Sequence, residues 1–127
     1  MKPVPLNPRD TWIVLRRTLR AFAHANPNII VAPQFTRVAM VNLDKQFGSR
    51  AERLVFLSLI FDRTITSSKD LTRGEQGAIV TWLAPSLQNK WGVCPLAQRN
   101  LDAITPIIHD VQEATHDTQN QDSTTPA

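Results

Sequence analysis

Two histidines near the C-terminal end come closest to the spacing of a metal site. His109 and His116 lie seven positions apart, with Asp110, Glu113 and Asp117 close by. On a helix, positions i and i+7 share a face, so these side chains could hold a weakly bound metal ion. Zinc sites use more closely spaced ligands and often cysteine, and the segment also fits a solvated polar helix. We therefore predict no metal site, and an enzyme using the two histidines stays an alternative.

A single cysteine, Cys94, precedes Pro95 and could form a nucleophile pair with His24. No third residue is placed to orient the histidine, and a lone cysteine before a proline is typical of packing. Because there is one cysteine, no internal disulfide can form, which favours a reducing, cytoplasmic setting. The four glycines match neither a Walker nor a Rossmann phosphate loop. We predict no catalytic activity and no cofactor.

Cationic side chains are the chemistry that the sequence supplies in quantity. Residues 1–100 hold all 14 Lys and Arg and six acids, a net charge of +8, whereas residues 101–127 carry −5. Such a division is typical of a protein that attracts polyanions to its basic part. Arginine offers a planar fork of donors suited to phosphate oxygens. The predicted nucleic-acid-binding residues are Arg9, Arg16, Arg17, Arg20, Arg37, Lys45, Arg50, Arg53, Arg63, Lys69, Arg73 and Lys90.

The first helix should carry the densest group of these cations. An Asn7-Pro8 start and helical spacing of apolar residues predict a helix from Pro8 to about Ala25. Asp10 is the only acid near the basic arc of this helix, so the arc should remain open to phosphates. Ile13 points into the same arc. The arginines that share it are Arg9, Arg16, Arg17 and Arg20.

Four further helices are predicted from periodicity and capping signals. Residues 33–47 end at Gly48, which suits a left-handed cap. Residues 50–62 are apolar nearly all round, which predicts the central helix. The starts of the third and fourth helices, at Ser49 and Thr72, show a Ser/Thr-x-x-Glu capping box.

The segments between and after these helices complete the prediction. Residues 29–31 (Ile-Ile-Val) should form a buried linker, and residues 85–94 a loop that carries Lys90 and Trp91, a residue that could stack on a base or pack in the core. A last helix should begin at Pro95 and be interrupted at Thr105-Pro106.

Together these elements predict an all-α fold, a single helical bundle of about five helices with a disordered acidic C-terminal tail. The bundle should span residues 1–112 and the tail 113–127, which lack large apolar side chains beyond the first positions. No apolar run approaches the roughly 18 to 20 residues that cross a bilayer, and no signal-peptide core is evident. We therefore expect a soluble, cytoplasmic protein without a membrane partner.

A resemblance to a known helical module covers about 50 of the 127 residues, 34–84. It rests on residues 50–58 (RAERLVFLS) and 63–75 (RTITSSKDLTRGE), followed by Trp82-Leu83. These segments resemble parts of actinobacterial and phage proteins that are often joined to recombination or other DNA-handling domains. The resemblance implies a three-helix unit in a nucleic-acid context and carries over no catalytic residues. Because the family usually has alanine near Gly77, the fourth helix should be looser here.

Small basic helical bundles without catalytic groups also resemble, in architecture, the small subunits of CRISPR effector complexes, which serve antiviral defence. We therefore predict a non-catalytic accessory subunit that contacts the phosphate backbone of RNA or single-stranded DNA within a larger nucleoprotein assembly. Other protein subunits, or further copies of the chain in a homo-oligomer, would be its protein partners. The alternative is a protein–protein adaptor or phage-type regulator that binds no nucleic acid and uses its acidic tail on a basic partner.

Overall fold

The computed structural model describes residues 7–84 and 93–124, with side chains described as far as residue 114. The described residues form an all-α bundle without a strand, which confirms the predicted fold class. Its α-helices are α1 (Pro8–Ala25), α2 (Pro33–Phe47), α3 (Arg50–Phe61), α4 (Arg73–Leu83) and α5 (Pro95–Thr124), and a short 3-10 helix (Ser68–Asp70) lies between α3 and α4. No helix in the described part of the chain is long and apolar enough to cross a membrane.

Local side-chain signals set most of the helix boundaries. The Asn7 carboxamide accepts a hydrogen bond from the Asp10 amide at 3.1 Å, as expected of an N-cap. Gly48 ends α2 with a φ of 100°, the left-handed conformation that glycine adopts without strain. At α4 both halves of the predicted capping box are present, since Thr72 and Glu75 each accept from the backbone amide of the other.

The capping box predicted at α3 is only half formed. Ser49 accepts from the Glu52 amide at 3.2 Å, but Glu52 does not return a bond to the Ser49 amide. Its Oε2 atom lies instead 2.6 Å from Nε2 of His109 on α5. The other oxygen, Oε1, accepts from the Ser49 hydroxyl at 3.4 Å, so Glu52 contacts both the helix start and α5.

One hydrophobic cluster joins all five α-helices, and Phe56 of α3 lies near its middle. The Phe56 ring contacts Phe47 at a centroid distance of 5.1 Å, Trp82 at 6.0 Å and Trp12 at 6.3 Å. Contacts of this kind stabilise a core beyond simple area burial. The largest fully buried side chains are Leu19, Leu43, Phe47, Phe56, Leu57, Ile60, Ile79, Leu83, Leu101, Ile104 and Ile108.

Helix α3, which the sequence predicted as the central helix, has one face that is not covered by the other helices. Leu54, Val55 and Leu59 are only partly buried, and they line an open groove with Val111 of α5. The other helices pack on the Phe56 side of α3, so its apolar residues on the far side have solvent as a neighbour. The apolar residues around α3 predicted a central helix, but the other helices cover it on one side only.

Close packing of α1 on α4 depends on two glycines. A Cβ atom at Gly74 would lie 2.4 Å from the carbonyl oxygen of Ala23, and one at Gly77 would lie 2.7 Å from Cγ2 of Ile29. Both distances are too short for a real Cβ, so these positions permit the close approach. At Gly77 the close neighbours are Ile29 of the linker and Phe22 of α1, and the expectation that Gly77 loosens the fourth helix stays a prediction.

The segment between α1 and α2 differs from the buried linker that its β-branched residues predicted. Ile29 is partly buried against Gly77, but the neighbouring Ile30 side chain is 88% exposed. A three-residue extended segment lies over the surface of α4, so its side chains alternate between the protein and the solvent.

Helix α5 is continuous through Pro106, where the sequence predicted an interruption. Ile104 and Ile108 on either side are fully buried, while Pro106 is exposed. Packing of the apolar face therefore keeps the helix together despite the missing backbone N–H. The predicted tail boundary at residue 113 falls within α5, whose backbone is helical to Thr124. Residues 125–127 and the side chains after residue 114 lie outside the described part.

Candidate nucleic-acid interface

Four arginines lie on one exposed face of α1, as the helical spacing predicted. We call this set (Arg9, Arg16, Arg17 and Arg20) the basic face. Arg9 and Arg17 are exposed, and neither has an ion-pair partner among the described residues. The side chains of Arg16 and Arg20 are each 37% exposed. Ile13, which the sequence placed within this arc, is also exposed.

The expectation that Asp10 is the only acid near this face is wrong, because α3 supplies a second one. Nη2 of Arg16 lies 3.5 Å from one carboxylate oxygen of Asp62, and Nη2 of Arg20 lies 3.7 Å from the other. Asp62 caps the C-terminal end of α3 in the left-handed conformation, with φ 53° and ψ 43°. The packing of α1 beside the end of α3 brings together residues more than 40 positions apart.

The guanidinium group of Arg20 is oriented by the backbone of α3. Its Nε donates a hydrogen bond of 2.6 Å to the carbonyl oxygen of Ile60, one of the last residues of that helix. A carbonyl at a helix C-terminus carries partial negative charge and favours a cation. Arg20 is therefore positioned by two acceptors, the Ile60 carbonyl and the more distant Asp62 carboxylate.

Asp62 does not neutralise the basic face. It presents one negative charge to two arginines, at distances beyond an ordinary hydrogen bond, and its side chain is 75% exposed. Exposed ion pairs of this kind contribute about 0 to 1 kcal/mol to stability. Four arginines against the carboxylates of Asp10 and Asp62 leave a net charge of +2 on this face.

An open groove of about 460 Å³ adjoins the C-terminal end of the basic face. Its walls are mainly polar and combine residues of α1, of the α3 cap and of the start of α4. The lining residues are Arg20, Ala23, His24, Phe61, Asp62, Thr72 and Glu75. Since His24 lies here beside Arg20, the structure places it in a basic setting.

Arg63 is held by the connection between α3 and α4. Its guanidinium pairs with the buried carboxylate of Glu75 and donates to the Asp70 carbonyl at 2.9 Å. The Asp70 carboxylate in turn accepts from the Thr66 amide and hydroxyl and the Ser67 amide, and these bonds lower the pKa of Asp70. Arg63 therefore has a structural role, although part of its side chain reaches the surface.

The prediction that Arg53 contacts nucleic acid is wrong. Its side chain is buried within the α2–α3 contact, and Nη1 donates to Oδ2 of Asp44 at 3.1 Å. A phosphate group cannot reach a guanidinium enclosed in this way. The sequence placed Arg53 with the surface cations because its acidic partner, nine positions earlier, lies on a different helix.

Five other predicted cations are exposed but are dispersed over the remaining elements. Arg73 lines a small cavity with Ile30, Val31 and Gln76 on the side of α4 that faces the α1–α2 linker. No described contact joins these cations to the basic face, and Lys90 lies outside the described residues, as does Trp91. The five are Arg37 and Lys45 on α2, Arg50 on α3, Lys69 in the 3-10 helix and Arg73 on α4.

Among the described residues no group of three or more potential metal ligands is present. Nε2 of His109 forms a hydrogen bond of 2.8 Å with the Phe47 carbonyl and lies 2.6 Å from Oε2 of Glu52, contacts that join α5 to the turn between α2 and α3. The side chain of His116 lies outside the described part. Cys94 accepts from the Ala97 amide through Sγ at 3.4 Å, so it caps the start of α5.

Comparison with protein-family models, with curated proteins and with solved structures found no match to this chain. Two features of the candidate site were missed by sequence reasoning, namely Asp62 within the basic face and the groove along α3. The helix spacing of Leu54, Val55 and Leu59 could have indicated the groove, because these residues lie off the Phe56 face. No local pattern indicated the pairing of Asp62 with α1.

Proposed function

We propose that the protein is a non-catalytic accessory subunit that binds the phosphate backbone of nucleic acid through the basic face of α1. The main support is that Arg9 and Arg17 are exposed without a described partner, beside two arginines that share a single carboxylate. Each phosphate neutralised by such a face releases counterions, which drives binding. Because the groups belong to one helix, they present a continuous line of positive charge.

The dimensions of the basic face fit a short stretch of backbone. Arg9 and Arg20 are eleven positions apart, which is roughly 16 Å along the helix axis. One strand rises about 3.4 Å per phosphate in duplex DNA, so this distance corresponds to roughly five phosphates. We therefore expect about three or four phosphate contacts per molecule.

Binding through this face should depend on salt and not on base sequence. The exposed side chains of the face are guanidinium groups and the apolar Ile13, without the Asn or Gln residues that read base edges. For about three contacts with a single strand, the logarithm of affinity should fall with the logarithm of salt with a slope near −2. A backbone-binding subunit of this kind would contact RNA or single-stranded DNA inside a nucleoprotein assembly, as the likeness to CRISPR small subunits implies.

Fluorescence-anisotropy titration of labelled single- and double-stranded oligonucleotides, at low and at physiological salt, tests this proposal. The site variant is R9Q/R17Q, because neither arginine supports the fold through a described ion pair. It should bind on the order of tenfold more weakly at low salt, since two of about four phosphate contacts are lost. Circular dichroism should show unchanged helicity.

The matched control is R37Q/K45Q, which removes the same charge from exposed positions of α2. If this control weakens binding as much as R9Q/R17Q, the interaction is spread over the surface and the basic face is not the site. If the wild-type protein shows no binding at low salt, the proposed function is wrong.

A second candidate function, a protein–protein adaptor, is favoured by the groove along α3. The groove has a volume of about 530 Å³, and Leu54, Val55, Leu59 and Val111 are among its lining residues. A contiguous apolar surface of this kind is typical of sites that bind another protein. If the protein is an adaptor, L54S/L59S should bind the protein partner more weakly and R9Q/R17Q should bind it as well as the wild type does. The nucleic-acid proposal expects the opposite for oligonucleotides, which R9Q/R17Q should bind more weakly than L54S/L59S. The acidic tail that this alternative also invokes lies beyond the described side chains.

A further inference from the structure

Asp62 occupies a backbone position that does not require a carboxylate. It is the one non-glycine residue with a positive φ in the described chain, and it is the C-cap of α3. Glycine and asparagine suit such a position without adding charge. The side chain is 75% exposed, so burial does not hold it in place either. Its charge therefore needs another explanation.

That explanation lies in what the carboxylate faces. Its two oxygens are directed to Arg16 and Arg20, one to each guanidinium, at 3.5 and 3.7 Å. Both arginines keep donors without an acceptor, since Nε of Arg16 and Nη2 of Arg20 are shielded from solvent and make no hydrogen bond among the described residues. At these distances the Asp62 carboxylate does not hydrogen-bond to either guanidinium group.

A phosphodiester group would fit the same position better. Its two non-bridging oxygens can each accept short, charge-assisted hydrogen bonds from an arginine fork, which a carboxylate at 3.5 Å or more does not. The adjoining groove of about 460 Å³ opens the Arg20 side of this position to solvent, and its charged lining residues are Arg20, Asp62 and Glu75, of which Glu75 is paired with Arg63. A nucleic-acid strand can therefore approach from the side on which Asp62 is exposed.

We propose that Asp62 is an internal competitor for phosphate, occupying the position between Arg16 and Arg20 that a backbone phosphate takes when nucleic acid binds. This inference rests on the proposed function of the basic face. In the free protein Asp62 lowers the positive potential of the face and keeps the two guanidinium groups in place. On binding, the strand displaces Asp62 towards solvent. Part of the favourable electrostatic energy between phosphate and arginine then compensates for the two ion pairs that Asp62 loses.

The experiment compares D62N with the wild-type protein in anisotropy titrations with a labelled single-stranded oligonucleotide. Asparagine tolerates the left-handed backbone as well as aspartate does, so the fold should be kept. The control variant is D110N, which removes one negative charge from an exposed residue of α5. D62N should bind at least about threefold more tightly than D110N at low salt, because no ion pair has to be broken before a phosphate reaches Arg16 and Arg20. The slope of the salt dependence should stay near that of the wild type, since the number of phosphate contacts in the complex is the same.

The outcomes separate this inference from the proposed function. If the wild-type protein binds but the affinity of D62N rises no more than that of D110N, Asp62 is not a competitor. The proposal that the basic face binds nucleic acid is then unaffected. If D62N binds and the wild type does not, the proposed function of the wild-type protein fails and the competitor role fails with it, because no phosphate then displaces Asp62. If no protein binds at low salt, both proposals fail. Thermal unfolding of D62N shows whether a weaker result comes from a damaged fold, in which case D62G, which relieves the left-handed strain, repeats the test.

Discussion

The protein pairs arginine with aspartate in two places, and the two places differ in almost every physical respect. Between α2 and α3, Arg53 is buried and meets Asp44 one to one, with Nη1 and Oδ2 3.1 Å apart. At the end of α3, Asp62 faces two arginines at 3.5 and 3.7 Å on the surface. The same residue types thus form a balanced structural pair in one region and an unbalanced, accessible group in the other.

Unsatisfied donors alone do not distinguish the two regions. Nε of Arg53 lacks an acceptor among the described residues, as Nε of Arg16 does. The difference lies in charge balance and access, because Arg53 is enclosed and neutralised while Arg16 and Arg20 exceed their carboxylate by one charge. A cationic surface is therefore better judged by its paired charges and exposure than by its count of arginines.

The largest difference should appear when an arginine is removed from each region. R53A should lower the free energy of unfolding by about 2 to 3 kcal/mol, because it leaves Asp44 partly buried without its partner and opens a cavity. R16A should lower it by no more than about 1 kcal/mol, as expected of an exposed pair. Urea denaturation measures both values. Equal losses would mean that the α1 pair is as structural as the α2–α3 pair.

The same contrast should appear, at smaller size, when each carboxylate is neutralised. D44N should cost about 1 to 2 kcal/mol, since it leaves the guanidinium of Arg53 buried without a counter-charge. D62N should change the free energy of unfolding by less than about 0.5 kcal/mol. Thermal and urea unfolding of the two variants provide the comparison, and a destabilised D62N would argue that Asp62 is retained for stability.

The smallest effect concerns Asp70, a surface carboxylate that is held by hydrogen bonds and not mainly by arginine. Its bonds to Thr66 and Ser67 lower its pKa below the ordinary value of 3.8 for an aspartate, so it stabilises the fold above that pH. This stabilisation is lost as the pH falls through the lower pKa of the folded state. D70N should therefore show a shallower loss of stability below about pH 4 than the wild type. Acid titration followed by circular dichroism measures these profiles.

Most of the fold could be predicted from sequence because its signals are local. The starts at Asn7 and Thr72, the end at Gly48 and the two arcs of α1 all follow from residues within four positions of one another. The prediction at Pro106 also relied on a local signal, and there it was wrong. A local rule predicted a break, and the burial of Ile104 and Ile108, a property of the whole bundle, outweighed it.

The candidate site was less predictable because its decisive contacts are long-range. The cations of α1 could be placed on one face, but their partner Asp62 comes from another helix, more than 40 positions later. Similarly, Arg53 looked like a surface cation until α2 placed Asp44 against it. Helical periodicity shows which residues share a face and does not show which residue of another helix will meet them.

The contact of Gly74 with the backbone of Ala23 has a consequence for how a ligand is received. Because the backbone of α1 packs directly on that of α4, α1 is held rigidly. Its arginines therefore have little freedom to shift as a group. A flexible single strand must therefore do most of the adapting, and it loses conformational entropy in doing so, while the protein loses little. A stiff duplex, which cannot adapt, would have to match the line of α1 by its own geometry.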